Sequence, residues 1–85
     1  MEVKLGSSFD NAMSFYGKAH VIVGDTYKKL RSYDTVVCGI VNNNFEKYWD
    51  DYSSTTMRHI NEFRLQNGMP KLSKAEWNKI PTVKN

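Results

Sequence analysis

The chain has 85 residues, which is enough for one domain, residues 1–85, and too few for a second hydrophobic core. Hydrophobic residues make up 40% and charged residues 25%, so the composition is that of a globular protein and excludes a disordered chain. The net charge of +3 is uneven, since six basic residues stand against seven acidic ones before position 54 and six against two after it. The C-terminal third is therefore the basic end, and it suits a nucleic acid or an acidic protein surface.

The cysteine content and the apolar runs indicate the compartment. Cys38 is the one cysteine, which excludes a disulfide framework within the chain and fits a reducing environment. The first ten residues lack the apolar core of a secretion signal, and the longest apolar run, residues 36–41, is far too short to span a membrane. We therefore expect a cytoplasmic protein without a membrane-spanning segment.

The first half of the chain predicts a β-meander over residues 15–49, after a poorly defined N-terminal segment. In that segment, residues 1–14, Val3 and Leu5 fit an edge strand, whereas the residues from Ser7 onward fit a loop or a single helical turn. Apolar and polar residues then alternate from Phe15 to Val23, with Phe15, Ala19, Val21 and Val23 on one face, which predicts a half-buried strand.

Turn residues separate the remaining strands of the predicted meander. The glycine at the start of residues 24–25 is expected to take a positive φ angle in a tight turn. Residues 27–33 form the next strand, and residues 35–41, apolar on both faces, predict the central strand of the sheet. Residues 42–44 are three asparagines, which favour a turn, and residues 45–49 close the sheet.

The second half of the chain predicts a main helix over residues 54–67. Thr56, Ile60 and Phe63 fall on one side of this helix and are expected to pack on the sheet. Gly68 follows an asparagine at the end of the segment, and glycine there accepts the left-handed conformation that ends helices. The main helix therefore has both an apolar face and a stop signal.

A short C-terminal helix is predicted over residues 73–80. Ser73 and Glu76 have the spacing of a capping box, in which each side chain bonds a backbone N–H of the other. Pro81 ends the helix, and residues 81–85 form a tail. The fold class predicted is α+β: a three- or four-stranded antiparallel meander packed against one main helix, with a short C-terminal helix.

Two reactive constellations involve Cys38. Together with His20 or His59 it has the residue types of a thiol nucleophile, but its position in the most buried strand favours an inert core thiol. If the strands of His20 and Cys38 were neighbours, the two side chains would share a sheet face, which leaves a small metal-binding domain as an alternative. No metal-ligand motif has the right spacing, so we assign no metal ligand and no cofactor.

The start of the main helix is a candidate phosphate contact. Ser54 and Thr55 bring hydroxyls and unpaired N–H groups to this helix terminus, and Arg58 adds a cation one turn later. Simple helix capping explains the same residues. Asp50 and Asp51 lie just before them and are expected to solvate the loop and to complement the helix dipole, so no catalytic residue is assigned.

Aromatic and basic residues interleave along the first two strands, and this mixture is typical of two kinds of surface. Single-stranded nucleic acids stack on such faces, and protein-binding hot spots are also rich in Tyr and Arg. Large rings also build the core of a small domain. By exposure and residue type, the contacts that we predict for a partner are Tyr27, Lys29, Arg31, Tyr33, Arg58 and Arg64.

Four short stretches resemble a family of small uncharacterised proteins from phages and mobile elements of Gram-positive bacteria. The resemblance extends over about residues 7–73 and is most specific in the helix segment. The stretches are SFYGKA at 14–19, SYDTV at 32–36, YSSTTMRHINEF at 52–63 and QNG at 66–68. The family offers no established activity, cofactor or catalytic residue to transfer.

The resemblance implies a setting in the host bacterial cytoplasm, where many accessory proteins of mobile elements inhibit host defence systems. The leading hypothesis is therefore a non-enzymatic inhibitor, similar to anti-CRISPR proteins, that binds a bacterial protein or ribonucleoprotein such as a CRISPR nuclease. A nucleic-acid-binding accessory protein and a small metal-binding domain are the alternatives. A small sheet with open edges is compatible with a monomer or a homodimer.

Overall fold

The computed structural model describes residues 1–6 and 17–85. In this part of the chain, five strands form one antiparallel sheet whose spatial order follows the sequence. The strands are β1 Glu2–Lys4, β2 Ala19–Val23, β3 Tyr27–Ser32, β4 Thr35–Val41 and β5 Asn44–Lys47. Two helices follow, α1 Ser54–Gln66 and α2 Lys74–Lys79. The predicted α+β class, with a meander, one main helix and one short helix, is confirmed.

The sheet has one strand more than the three or four expected, because β1 joins it at the edge. Val3 of β1 lies opposite Val21 of β2, and the next apolar residue, Leu5, is buried in the core. The backbone N–H of Leu5 donates to the carbonyl of Ala19 over 2.9 Å. Burial of Leu5 in the core therefore holds the N-terminal strand against β2. The loop predicted for residues 7–14 lies outside the described residues.

The strand predicted from Phe15 is observed as β2, which begins at Ala19; residues 7–16 are not described. Ala19 and Val21 are buried and His20 is partly exposed, so the predicted alternation is confirmed in β2. The turn after β2 needs glycine for a different reason from the one expected. Gly24 does not take a positive φ angle, but a Cβ at this position would collide with the ring of Tyr27. Gly24 therefore leaves the room that the Tyr27 ring occupies.

The two later hairpin turns use left-handed backbone. Asn42 and Asn43 connect β4 to β5 with φ angles of 50° and 68°, as expected for asparagine. The turn between β3 and β4 contains Tyr33, whose φ angle is 55°. The predicted strand 27–33 is therefore one residue too long, because Tyr33 belongs to the turn, and its positive φ is uncommon for a bulky residue.

The core lies between one face of the sheet and the two helices. Strand β4 lies between β3 and β5, so its predicted interior position is right, although β3 is the middle strand. The predicted apolar side of α1 is buried, including Thr56, Ile60 and Phe63. The fully buried apolar side chains of the core are Ala19, Leu30, Cys38, Ile60, Phe63 and Trp77.

Both helices have the caps that the sequence predicts. Ser53 is the N-cap of α1 and accepts a hydrogen bond from the N–H of Thr56 over 3.0 Å, and Gly68 follows the helix with a φ angle of 77°. The capping box of α2 is present, with Ser73 and Glu76 bonded reciprocally over 2.8 and 3.1 Å. No helix of the described residues is long and apolar enough to cross a membrane.

The residues after α2 return to the sheet. Thr82 forms a parallel bridge with Lys47 at the end of β5, and the N–H of Val83 donates to the Lys47 carbonyl over 2.8 Å. The predicted strand 45–49 ends at Lys47, whose side chain is buried and donates to the Trp77 carbonyl over 3.0 Å. Residues 81–85, which were predicted as a tail, are exposed and contact the edge of β5 through this bridge and this hydrogen bond.

Candidate binding surface

The described part of the sheet is covered by helices on one side only. Ser32 of β3 points to α1, because its hydroxyl lies 3.1 Å from Thr56 Oγ1 and 2.7 Å from His59 Nδ1. Alternate residues of a strand point to opposite sides, and residues directly opposite each other on paired strands share a side. The residues on the other side, which we call the open face, include Glu2, His20, Ile22, Tyr27, Lys29, Arg31, Gly39, Glu46 and Tyr48.

Lys29 is held between two tyrosine rings at the centre of the open face. Its ammonium lies 5.1 Å from the ring centroid of Tyr27 and 5.2 Å from that of Tyr48, which are cation–π distances. The stem of Lys29 crosses Gly39, where a Cβ would lie 2.9 Å from Lys29 Cγ. The ammonium also donates to Asn85 Oδ1 over 2.7 Å. We call Tyr27, Lys29 and Tyr48 the lysine clamp.

Glu46 accepts a hydrogen bond from Tyr48 and does not form an ion pair with Lys29. The Tyr48 hydroxyl donates to Glu46 Oε1 over 2.7 Å. Burial, and then this hydrogen bond, raise the pKa of Tyr48, so its phenol stays protonated and keeps donating. Within residues 1–6 and 17–85, no ion pair involves Lys29. The clamp is therefore a cationic centre with aromatic walls.

Arg31 lies on the same face but is engaged within the chain. Its two terminal nitrogens lie 3.0 and 3.1 Å from the two carboxylate oxygens of Glu2, in a bidentate ion pair. His20 lies 3.5 Å from the same carboxylate. The remaining nitrogen of Arg31, Nε, is buried and has no hydrogen-bond partner among the described residues. A partner that contacts Arg31 must therefore compete with Glu2.

Tyr33 lies apart from the clamp, on the helix side of the sheet. Its ring is 47% exposed, and its centroid lies 5.9 Å from that of His59 on α1. The ammonium of Lys18 is 5.8 Å from the Tyr33 centroid. Of the predicted contacts, the structure thus brings Tyr27, Lys29 and Arg31 together and separates Tyr33 from them.

The candidate phosphate contact lies at the first turns of α1. Ser54 is exposed, Thr55 is partly exposed and Arg58 is exposed on the following turn. The hydroxyl of Ser53 already satisfies the N–H of Thr56, as a capping residue does. The geometry accounts for these residues as a helix start, and phosphate binding by Ser54, Thr55 and Arg58 stays a prediction.

Arg64 was predicted to contact a partner by exposure and residue type, but its side chain is buried, so the expected exposure is absent. Only 8% of Arg64 is exposed. Its Nε donates to the Pro70 carbonyl over 2.9 Å, and its guanidinium lies 4.4 Å from the centroid of the Phe45 ring. Burial lowers the pKa of the guanidinium. Arg64 connects α1 to the following loop and to β5, which is a structural role.

Cys38 and His20 do not share the sheet face that a common site would require. Cys38 is fully buried on the helix side of β4, and burial raises the pKa of its thiol, so the thiolate is disfavoured. His20 lies on the open face of β2, and β3 separates the two strands. In the described part of the chain no three His, Cys, Asp or Glu residues are grouped for a metal ion. The shared face required for the His20–Cys38 pair is absent.

Three residues of the open face were missed by the sequence reasoning. Tyr48 was placed in the last strand without a role, although its alternation with Glu46 put both on one face. Gly39 received no role within the predicted strand 35–41, whereas it makes room for the Lys29 stem. Asn85 reaches Lys29 from 56 residues away, and no local pattern signals such a contact.

Together, the fold and the open face define a small α+β protein with an aromatic and basic sheet surface. Residues 3–79 match the model of the "Family of unknown function (DUF8033)". The match covers most of the chain, so the protein belongs to this family. Searches of curated proteins and of solved structures gave no match.

Proposed function

We propose that this protein is an accessory protein that binds and modulates a bacterial macromolecule through its open face, without catalysing a reaction. The lysine clamp is the observation that supports this proposal. Tyrosine is among the residue types that dominate binding energy at protein interfaces, and the clamp presents two tyrosine rings on a sheet surface. Tyr27 is 37% exposed, so its ring is accessible to a partner.

The balance of charge on the open face favours a protein partner over a nucleic acid. Arg31 is paired with Glu2, and Glu46 accepts the hydroxyl of Tyr48, so acidic groups lie on both sides of Lys29. Nucleic-acid surfaces concentrate unpaired Lys and Arg to neutralise phosphates. A mixed face with aromatic anchors is instead typical of protein–protein interfaces.

The most specific form of the proposal is an inhibitor of a host defence system, with a CRISPR nuclease as the target, acting in the host bacterial cytoplasm. This part rests on the resemblance to small proteins of phages and mobile elements. A binding role is also consistent with the burial of Cys38, since a buried thiol with a raised pKa is a poor nucleophile.

Capture from a bacterial lysate, followed by mass spectrometry, tests the proposal. The bait is the wild-type chain, and the variants are Tyr27→Ala on the open face and Lys71→Ala as an exposed control. We expect one protein or ribonucleoprotein to be captured by the wild type and by the control, and to be strongly reduced with Tyr27→Ala. Capture that is equal for all three baits would contradict the proposal.

Single-stranded nucleic acid is the second candidate, because bases stack on aromatic side chains beside cations as in the lysine clamp. Binding of a short oligothymidylate, measured at several salt concentrations, tests this candidate. A nucleic-acid binder would show affinity that falls steeply with salt, and Lys29→Gln would flatten this slope by about one phosphate contact. We expect weak binding without such a slope.

A further inference from the structure

Asn85 occupies the lysine clamp as an internal ligand. Its side-chain oxygen, Oδ1, accepts a hydrogen bond over 2.7 Å from the Lys29 ammonium, which lies beside the rings of Tyr27 and Tyr48. An amide oxygen and a carboxylate oxygen have similar size and both accept hydrogen bonds, but only the carboxylate has a negative charge. The position of Asn85 Oδ1 therefore shows where a carboxylate oxygen fits.

The chemistry of the clamp favours a carboxylate over the amide that it holds. No ion pair with Lys29 is formed within the described part of the chain, so its ammonium has an amide where a counter-charge would bind more strongly. Hydrogen bonds between two charged groups are roughly twice as strong as neutral ones. The rings beside the ammonium leave Lys29 only partly exposed, and partial burial strengthens its attraction to an anion.

The segment that carries Asn85 is attached by few contacts. All of residues 81–85 are exposed, and the backbone of the segment is joined to β5 by the Thr82 bridge and by the Val83 hydrogen bond. Segments with few buried contacts open at low free-energy cost. Asn85 can therefore leave Lys29 while the sheet stays folded.

We propose that the lysine clamp binds the carboxylate of an Asp or Glu side chain of an acidic protein partner, which displaces Asn85. This inference rests on the proposed function and specifies the chemistry of the partner. Asn85 then acts as a built-in competitor: it shields Lys29 in the free protein and is released when an acidic partner binds.

The test uses an oligoglutamate peptide as the probe and an oligoglutamine peptide as its uncharged control. Binding is followed by the NMR signals of the Lys29 side chain and of the Asn85 amide in the full chain. We expect oligoglutamate to shift both signals and to release the Asn85 amide. Asn85→Ala should bind the peptide on the order of fivefold more tightly, because the competitor is gone. Lys29→Gln should lose this binding.

Matched variants separate the clamp from the general basic charge. Lys71→Gln removes an exposed cation elsewhere, and Asn78→Ala removes an exposed asparagine from α2; both should bind the peptide like the wild type. Equal peptide binding by Lys29→Gln and wild type would overturn the carboxylate site. Tighter binding of oligothymidylate than of oligoglutamate at Lys29 would overturn the acidic protein partner.

The outcome for the carboxylate site is distinguishable from that for the proposed function. If oligoglutamate binding does not depend on Lys29 but Tyr27→Ala still abolishes capture from the lysate, the carboxylate site is wrong. The binding role of the open face then stands. If capture from the lysate is unaffected by Tyr27→Ala, the proposed function is wrong, and the peptide titration then decides the carboxylate site by itself.

Discussion

At the scale of single residues, the basic side chains of this protein have different roles according to what surrounds them. Lys29 is partly exposed between aromatic rings, Arg31 is paired with Glu2, and Arg64 is buried against Phe45. All three were predicted as partner contacts from residue type alone. Because a buried guanidinium has already exchanged water for protein contacts, we expect Arg64 to contribute to the stability of the fold.

The substitution Arg64→Ala tests this assignment. It removes the hydrogen bond to Pro70 and the packing on Phe45, and it leaves a cavity beneath α1. We expect the free energy of unfolding to fall by about 2 kcal/mol, measured by urea denaturation. The control Lys71→Ala removes an exposed basic side chain and should change stability by less than about 0.5 kcal/mol. An equal, small effect of both substitutions would contradict the structural role.

Residue type and exposure pattern predict only part of the open face. Tyr27, Lys29 and Arg31 were predicted as contacts by exposure and residue type, and their alternation along β3 places them on one side of the sheet. The roles of Arg64 and Asn85 depend on contacts across six and 56 residues, which join elements that no local pattern links. Side chains that act through such contacts were therefore misassigned or missed.

At the scale of elements, interactions between residues close in sequence explain both helices. They also explain two of the three turns that connect β2, β3, β4 and β5. Caps are satisfied by residues within three positions, so Ser53 and Ser73 mark both helix starts in the sequence as well as in the structure. The turn at Asn42 and Asn43 is also explained locally, because asparagine tolerates a positive φ angle. Tyr33 is the exception, because a bulky residue rarely adopts the positive φ angle that it has in the turn between β3 and β4.

The left-handed turn predicts opposite effects for two neighbouring substitutions. Asn43 has a φ angle of 68°, so Asn43→Gly removes strain and should stabilise the protein by about 0.5 kcal/mol. Asn44 begins β5 in an extended conformation, so Asn44→Gly should destabilise it by about 0.5 kcal/mol. Thermal denaturation of both variants checks this. Destabilisation by Asn43→Gly as large as that by Asn44→Gly would refute the turn geometry.

The capping box of α2 predicts a dependence of stability on pH. Hydrogen bonds from the backbone and side chain of Ser73 lower the pKa of Glu76 below its ordinary value of 4.5. The folded-state pKa is thus below the unfolded one, so the contribution of Glu76 is present above pH 4.5 and is lost as the pH falls through the lowered value.

The substitution Glu76→Gln isolates this contribution, because glutamine keeps a hydrogen-bonding side chain but does not titrate. We expect the urea midpoint of the wild type to fall more than that of Glu76→Gln as the pH is lowered from about 6 to about 3. The other carboxylates titrate in both proteins and cancel in the comparison. Parallel pH profiles for the two proteins would show that the capping box does not bind the ionised form preferentially.

At the scale of the whole molecule, the described residues form a five-stranded sheet with helices on one side and the open face on the other. The hydrophobic pattern predicted the covered side, because a buried apolar face needs a partner layer. The number of strands and the contacts of the C-terminal segment required the tertiary structure, since β1 and residues 82–83 join the sheet across long stretches of chain. The lysine clamp is assembled at this scale from two residues of β3 and from Tyr48, which follows β5, and Asn85 reaches it from the C-terminal segment.

The central claim, that the open face is the binding surface, is tested most directly by the affinity of the captured partner for variants of this face. Titration of the purified partner should show a dissociation constant at least about tenfold higher for Tyr27→Ala than for wild type, with circular dichroism confirming that the variant is folded. Lys71→Ala should bind like wild type. A folded Tyr27→Ala that binds the partner as tightly as wild type would contradict the claim.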